Sequence, residues 1–308
     1  MKVIDAPKFE WRFLLPKYWP IWFGFSLLFL LTCLPYPLVR KIGAGLGRLL
    51  ALFGKKRVAI ARRNIDLCFP DWDASRKAQL LKDNLSASGM AVLETVMGWW
   101  WPDWRVKQLL SIEGFEHVEA IQQQGKGVFA MAIHCLSLEF ACRGLGFYQP
   151  SIAFYRKHNN DLMEYLQYHG RARSNKYMIH KRDVKGMFEA LSSGELSLYL
   201  PDQDYGRNKS VFVPFFAVPE TATTLGSMLF MNNSDCGSVF VQSISSPAGY
   251  KIKIWPGLDN FPSGDDAHDV ARINKRVEEM VLLAPEQYLW MHKRFKTRPD
   301  PDAPSLYL

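Results

Sequence analysis

From Glu113 onward, short apolar runs of strand length alternate with longer stretches of helical length, and this alternation narrows the fold more than any other feature of the chain. Strand candidates are Val128–Ile133, Ile152–Tyr155, Tyr177–Ile179, Leu196–Leu200, Val239–Ile244 and Lys251–Trp255. Helical stretches fall between them near Leu136–Leu145, Asp161–Arg173, Val184–Leu191 and Thr221–Met231, and Ala267–Leu283 reads as a C-terminal helix. Such alternation predicts an α/β fold, a mainly parallel sheet flanked by helices. Upstream, Asp71–Trp101 opens on a capping residue and places Leu80, Leu81, Leu85, Met90, Leu93, Val96 and Met97 near one helical face.

The N-terminal part differs in kind. An uncharged stretch runs from Tyr18 to Val39 between Lys17 and Arg40, about 22 residues and so long enough to cross a bilayer as a helix. Tyr18, Trp19, Trp22 and Tyr36 lie toward its ends, where aromatic side chains meet the lipid–water boundary. Pro20, Pro35 and Pro37 trim the regular helix to about 14 residues. The expectation is a helix inserted in or across the membrane, with a buried core helix as the alternative. It makes residues 1–40 an N-terminal membrane anchor and 41–308 the main domain. Arg40, Lys41, Arg48, Lys55, Lys56, Arg57, Arg62 and Arg63 follow, which places the main domain on the cytoplasmic face and against anionic lipid. Gly43 and Gly47 are spaced to let two helices approach closely.

A net charge of +8 calls for an anionic partner: nucleic acid, acidic headgroups or an acidic carrier protein. Nucleic acid fits poorly, because the basic residues flank an apolar segment rather than interleave with aromatics. The five cysteines are scattered, with no pair at metal-ligand spacing, so zinc is not expected and free thiols are.

The segment Gly127-Val-Phe-Ala-Met-Ala-Ile-His134-Cys-Leu-Ser-Leu-Glu139 is an apolar strand ending in histidine, with a glutamate about a turn into the next helix. Catalytic groups gather at the C-terminal ends of strands in such sheets. A carboxylate that holds one imidazole nitrogen as donor leaves the other free to take a proton from a hydroxyl. A bare His-x4-Glu is more often structural. Here Arg156 ends a second predicted strand, and Asp202 and Asp204 sit in a turn after a third. Cys135 adjoins His134, but neighbouring residues at a strand–helix junction point apart, so it reads as a small buried residue.

These segments, followed by Val211-Phe-Val-Pro214-Phe-Phe216, resemble the glycerolipid acyltransferase superfamily. Pro201-Asp-Gln-Asp-Tyr-Gly206, Arg173-Ser-Asn-Lys176, Ala284-Pro-Glu-Gln-Tyr288, Leu34-Pro-Tyr-Pro37 and Trp290-Met-His292-Lys-Arg294-Phe-Lys-Thr-Arg-Pro299 narrow the resemblance to the late acyltransferases of bacterial lipid A biosynthesis. It runs from about Pro16 to Pro299 and is strongest toward the lauroyl-transferring type. The resemblance implies direct transfer of a fatty acyl chain from acyl carrier protein to the Kdo-bearing tetraacylated lipid A precursor at the bacterial inner membrane. His134 would be the general base and Glu139 its orienting partner, with no cofactor, metal or covalent acyl-enzyme. Related enzymes moving myristoyl or palmitoleoyl, or using a lysophospholipid acceptor, remain alternatives, as does a membrane-binding protein without activity. On this reading Arg156 binds a phosphate or an oxyanion. Asp202 and Asp204 shape the site by orienting Arg156 or contacting the sugar, or are simply turn residues. Pro214 and Phe215 form an apolar wall or core. His292 and Arg294, with Lys293, Lys296 and Arg298, form a basic patch for anionic partners.

Overall fold

A computed structural model describes residues 2–307. Helices α1 (Trp19–Thr32), α2 (Tyr36–Phe53), α3 (Lys55–Cys68), α4 (Ala74–Trp100) and α5 (Asp103–Gln108) precede strand β1 (Leu110–Glu113) and α6 (Glu116–Gln122). There follow β2 (Gly127–Ala132), α7 (Leu138–Leu145), β3 (Ser151–Tyr155), α8 (Asp161–Ala172), β4 (Asn175–His180), α9 (Val184–Ser192) and β5 (Leu196–Tyr199). A hairpin of β6 (Ser210–Phe215) and β7 (Val218–Thr224) leads through α10 (Gly226–Asn233) to β8 (Cys236–Ser246), β9 (Gly249–Pro256) and α11 (Asp266–Leu283).

The main sheet has the order β1-β9-β8-β2-β5-β3-β4, and every pairing is parallel except β8 with β9. The expected mainly parallel α/β sheet is therefore present. β2 shows why: all six of its positions are buried, as befits a strand covered on both faces. Phe129 and Met131 join a core with α3, α9 and α11, while Val128, Ala130 and Ala132 join a second core with Val118 of α6 and Leu145 of α7. The expected helix Thr221–Met231 is corrected. Its first half is strand β7, and α10 starts only at Gly226.

The strand order also creates a crevice. After β2 the chain leaves through α7 to β3, on one side, whereas after β5 it leaves through β6, β7 and α10 to β8, on the other. Neighbouring strands whose connections diverge leave an opening beyond their carboxyl ends. The residues that follow β2 and β5 are therefore brought together.

Against the sheet packs the α2–α4 pair. A Cβ on Gly89 would lie 2.1 Å from the Gly47 nitrogen, and one on Gly47 would lie 2.0 Å from the Leu85 carbonyl oxygen. Only glycine permits this approach, as the spacing of Gly43 and Gly47 anticipates.

No helix among the described residues is long and apolar enough to cross a membrane. The expected transmembrane helix is thus corrected, and the prolines supply the reason. α1 ends at Thr32, and its 14 residues reach only about 21 Å, short of a hydrocarbon core of about 30 Å. α2 resumes after Pro35, runs through residue 40 and carries Arg40, Lys41 and Arg48. The N-terminal residues instead spread apolar side chains over the surface: Trp11 is 82% exposed, Trp19 60%, Phe23 72% and Leu30 64%. The opposite side of α1 is anchored, with Phe25 against Trp99 and Trp100.

Candidate active site

β2 delivers His134 into the crevice two residues beyond its last strand position. From the adjacent β5, Leu200 and Pro201 lead to Asp202, whose side chain is fully buried. Asp202 accepts two hydrogen bonds from the same residue: the His134 backbone N–H at 2.9 Å and the ring Nδ1 at 2.6 Å. Burial pushes the Asp202 carboxyl up, but the His134 charge and these hydrogen bonds outweigh it and hold the group below its ordinary value. An ionised carboxylate only accepts, so Nδ1 carries the proton and Nε2 is left free to receive one. The His134 side chain keeps about a fifth of its surface exposed.

Glu139 lies in the first turn of α7 but makes no hydrogen bond to His134 among the described residues. The expected His134–Glu139 contact is replaced by the one to Asp202, for a geometric reason. Glu139 is claimed by donors from two other helices. It accepts from Trp99 Nε1 of α4 at 2.9 Å, from Arg171 Nε of α8 at 3.0 Å and from Arg171 Nη2 as well. A guanidinium fork on a carboxylate is among the stronger charged pairs.

His134, Glu139 and Arg171 nonetheless line one cavity of about 250 Å³, whose walls include Leu138, Ala153, Phe154, Met178, Leu198 and Leu200. Tyr155, Ser174, Asn175, Tyr199 and Tyr205 add polar groups to the lining, which is otherwise mainly apolar. A larger cavity of about 340 Å³ behind the Leu136–Ser137 turn is lined by Asp83, Glu94, Glu286 and Arg40, a poor surface for a hydrocarbon chain.

The remaining expected site residues divide. Arg156 is exposed beyond β3, does not line this cavity and makes no ion pair among the described residues. Asp202 orients His134 rather than Arg156. Asp204 is buried and holds the C-terminal segment, accepting from the Thr297 N–H at 2.8 Å and the Thr297 hydroxyl at 2.9 Å. Pro214 is exposed, and its carbonyl accepts from Asn274 at 2.8 Å. Phe215 is fully buried. It lines a small pocket with His134, Asp202, His292 and Arg294.

Arg294 does not belong to a surface patch. It is buried, donates to the Ala222 carbonyl at 2.5 Å and the Thr223 hydroxyl at 2.7 Å, and stacks over Phe215 at 4.9 Å. A guanidinium so occupied ties β7 to the C-terminal segment. His292 is half-buried, and burial first, then the neighbouring His134 and Lys296, push its imidazole pKa down. Burial raises the Cys135 thiol to about 11, which suits the inert, buried residue expected.

Arg171 and Trp99 escaped the sequence reading. Their only local signals are the Trp99-Trp100-Trp101 run and the basic Arg171-Ala-Arg173 tract beside the Ser-Asn-Lys motif. Neither points at residue 139.

Comparison with known proteins identifies the family. Residues 6–297 match the family model of the bacterial lipid A biosynthesis acyltransferases. The lipid A biosynthesis palmitoleoyltransferase of Escherichia coli K12 is 42% identical over 98% of both chains. The lauroyltransferase of the same organism is also 42% identical, over 98% of this chain and 99% of its own length. The myristoyltransferase is 25% identical over 95% of this chain and 91% of its own. With His134 paired to Asp202 and lining a largely apolar cavity, and with a match over almost its whole length, this chain belongs to the bacterial lipid A biosynthesis acyltransferases.

Proposed function

We propose that the protein transfers a fatty acyl chain, lauroyl by preference, from acyl carrier protein to a hydroxyacyl chain of the Kdo-bearing tetraacylated lipid A precursor. The observation that carries this reading is the His134–Asp202 pair, with His134 lining the 250 Å³ cavity. A secondary hydroxyl is too weak an acid to attack a thioester unaided. His134 Nε2 takes its proton as the oxygen attacks the carbonyl carbon, a contribution of about 10²–10⁴ in rate. Collapse of the tetrahedral intermediate expels the carrier thiolate, which recovers the proton from His134.

Glu139 acts with His134 by holding Arg171 against the cavity, where the guanidinium faces the developing oxyanion. Arg156, exposed and without an ion-pair partner among the described residues, receives an anionic group of the acceptor. His292 and Phe215 support His134 from the small pocket beneath it. The reaction so written needs no cofactor.

The exposed Trp11, Trp19, Phe23 and Leu30 fit a segment, residues 1–40, embedded in one leaflet of the inner membrane. Lys55, Lys56, Arg57, Arg62 and Arg63 of α3, exposed and without ion-pair partners among the described residues, face anionic lipid on the cytoplasmic side. One observation favours a second reading of the donor. The palmitoleoyltransferase and lauroyltransferase relatives are equally similar to this chain, at 42%.

The test is incubation of the purified protein with the Kdo-bearing precursor and lauroyl, myristoyl or palmitoleoyl carrier protein, read by mass spectrometry. Addition of one acyl chain, lost in His134→Ala, supports the proposal and identifies the donor. Bound lipid without product from any donor would refute it.

A further inference from the structure

The cavity that His134 opens into is laid across the sheet, and the register shows its course. Ser197 of β5 pairs with Ile152 of β3, which sets Leu198 beside Ala153. Ala153 in turn pairs with Met178 of the edge strand β4. Leu198, Ala153 and Met178 thus form one row, and all three line the cavity. β2, which carries His134, is the other neighbour of β5. The row meets β2 at Ala130, four residues before His134, so the three strand spacings from β2 to β4, about 14 Å, are the least distance from His134 to Met178. A saturated chain built from bonds of about 1.5 Å advances about 1.25 Å per carbon, so the path takes at least about 11 carbons beyond the reacting end.

The far end is closed. Met178 is 1% exposed and packs with Tyr155, Tyr168 and Ile4. The Ile4 N–H donates to the Met178 carbonyl at 2.9 Å, and the Tyr168 hydroxyl donates to the Ile4 carbonyl at 3.0 Å. An N-terminal strand-like segment therefore backs the wall, which keeps the end of the cavity fixed. Midway along, the methyl side chain of Ala153 is what leaves the row open.

We infer that Met178 sets the length of acyl chain the enzyme accepts, with Ala153 keeping the path to it clear. This inference rests on the reading of the cavity as the seat of the acyl chain. Met178 lies at the end of the cavity remote from His134, so it selects among donors without touching the chemistry.

The experiment sets decanoyl, lauroyl, myristoyl and palmitoyl carrier proteins in pairwise competition for one acceptor. Wild type, Met178→Ala and Ala153→Leu are compared. The readout is a product ratio within one reaction, which does not depend on the folded fraction. Met178→Ala is expected to raise the myristoyl-to-lauroyl ratio about tenfold, the factor expected from burying two further methylenes. Ala153→Leu is expected to move the preference toward decanoyl. Ratios within about twofold of wild type in both variants would overturn the inference, since two methylenes are worth more than that. Loss of turnover with every donor in a Met178→Ala protein of unchanged melting temperature would also overturn it, because a length gauge leaves the chemistry intact. A wild type that forms no product with any donor would remove the underlying acyl-transfer reading itself, and is told apart by that control.

Discussion

Replacing Asp202 by asparagine is the sharpest available test of how His134 is prepared. The carboxylate accepts from the His134 backbone N–H and from Nδ1, at 2.9 and 2.6 Å, and has no exposed surface through which water could substitute. Asparagine fills the same volume. Its carbonyl oxygen keeps the backbone contact, but its NH₂ then faces Nδ1 and forces that nitrogen to accept. The ring proton moves to Nε2, where no base remains for the hydroxyl. In a buried Asp–His pair this tautomer exchange costs about 10⁴ in kcat, about 5 kcal/mol of barrier. The KM for the acyl donor should change little, since Asp202 does not line the 250 Å³ cavity. Initial rates of acyl transfer by mass spectrometry give both constants, with circular dichroism as a check on folding. The reasoning fails if Asp202→Asn stays within about tenfold of wild type, 1.4 kcal/mol of barrier, while Glu139→Gln abolishes turnover. Glu139 would then have to reach His134 in the substrate complex, as the spacing of the two residues in sequence suggested.

Other consequences follow from the same packing. Burial raises the Glu94 carboxyl to about 7 from 4.5, although it accepts from the Tyr250 hydroxyl at 2.7 Å and lies near Arg40. A raised folded-state pKa means that its stability contribution is full below about pH 4.5 and is lost by about pH 7, roughly 3 kcal/mol in all. Glu94→Gln should therefore flatten the fall in melting temperature between pH 5 and pH 8, and an unchanged slope would refute this. Gly89→Val places side-chain atoms where the Gly47 backbone already sits. It should destabilise by at least the 1–3 kcal/mol typical of overpacking, read by denaturant melts, and a neutral result would mean that α2 and α4 separate easily. Trp19→Glu with Phe23→Glu should weaken sedimentation with anionic vesicles more than tenfold, since each ring buries about 1.5–3 kcal/mol of apolar surface. Undiminished binding would move the membrane contact elsewhere.

The fold was legible where a single element declared itself. β2 is six buried residues ending toward a histidine, and α4 and α11 lie within a few residues of their expected bounds. β1 was missed because its four residues alternate between partly buried and exposed. β7 takes the place of the helix start expected at Thr221, and Thr221, Thr223 and Thr224 lie in it. In the fold they are buried; Thr223 donates to the Thr221 carbonyl nearby, but the groups that donate to it, from Asn274 and Arg294, lie 51 and 71 residues away. A buried polar strand satisfied from so far along the chain leaves no local pattern.

The site shows the same limit more instructively. Three strand ends carried polar residues, His134, Arg156 and Asp202, and which of them meet depends on lateral order. Chain order makes β3 the successor of β2, which would set Arg156 beside His134. The fold inserts β5 between them, so the neighbour is Asp202.

That insertion also explains why the region needs two carboxylates with separate partners. An unpaired Glu139 at an apolar cavity would be a desolvated charge, costly in itself and worse with a hydrocarbon chain in place. Arg171 neutralises it from α8, while Asp202, sealed on the far side of His134, fixes the tautomer without facing the cavity. Arg171→Ala would leave Glu139 with only the Trp99 N–H among the described residues. Activity should then fall while Asp202 still holds His134, and Arg171→Ala/Glu139→Gln should recover part of the loss, because the second change removes the stranded charge. No recovery in the double variant would show that the loss comes wholly from the missing guanidinium at the developing oxyanion and not from a stranded Glu139 charge.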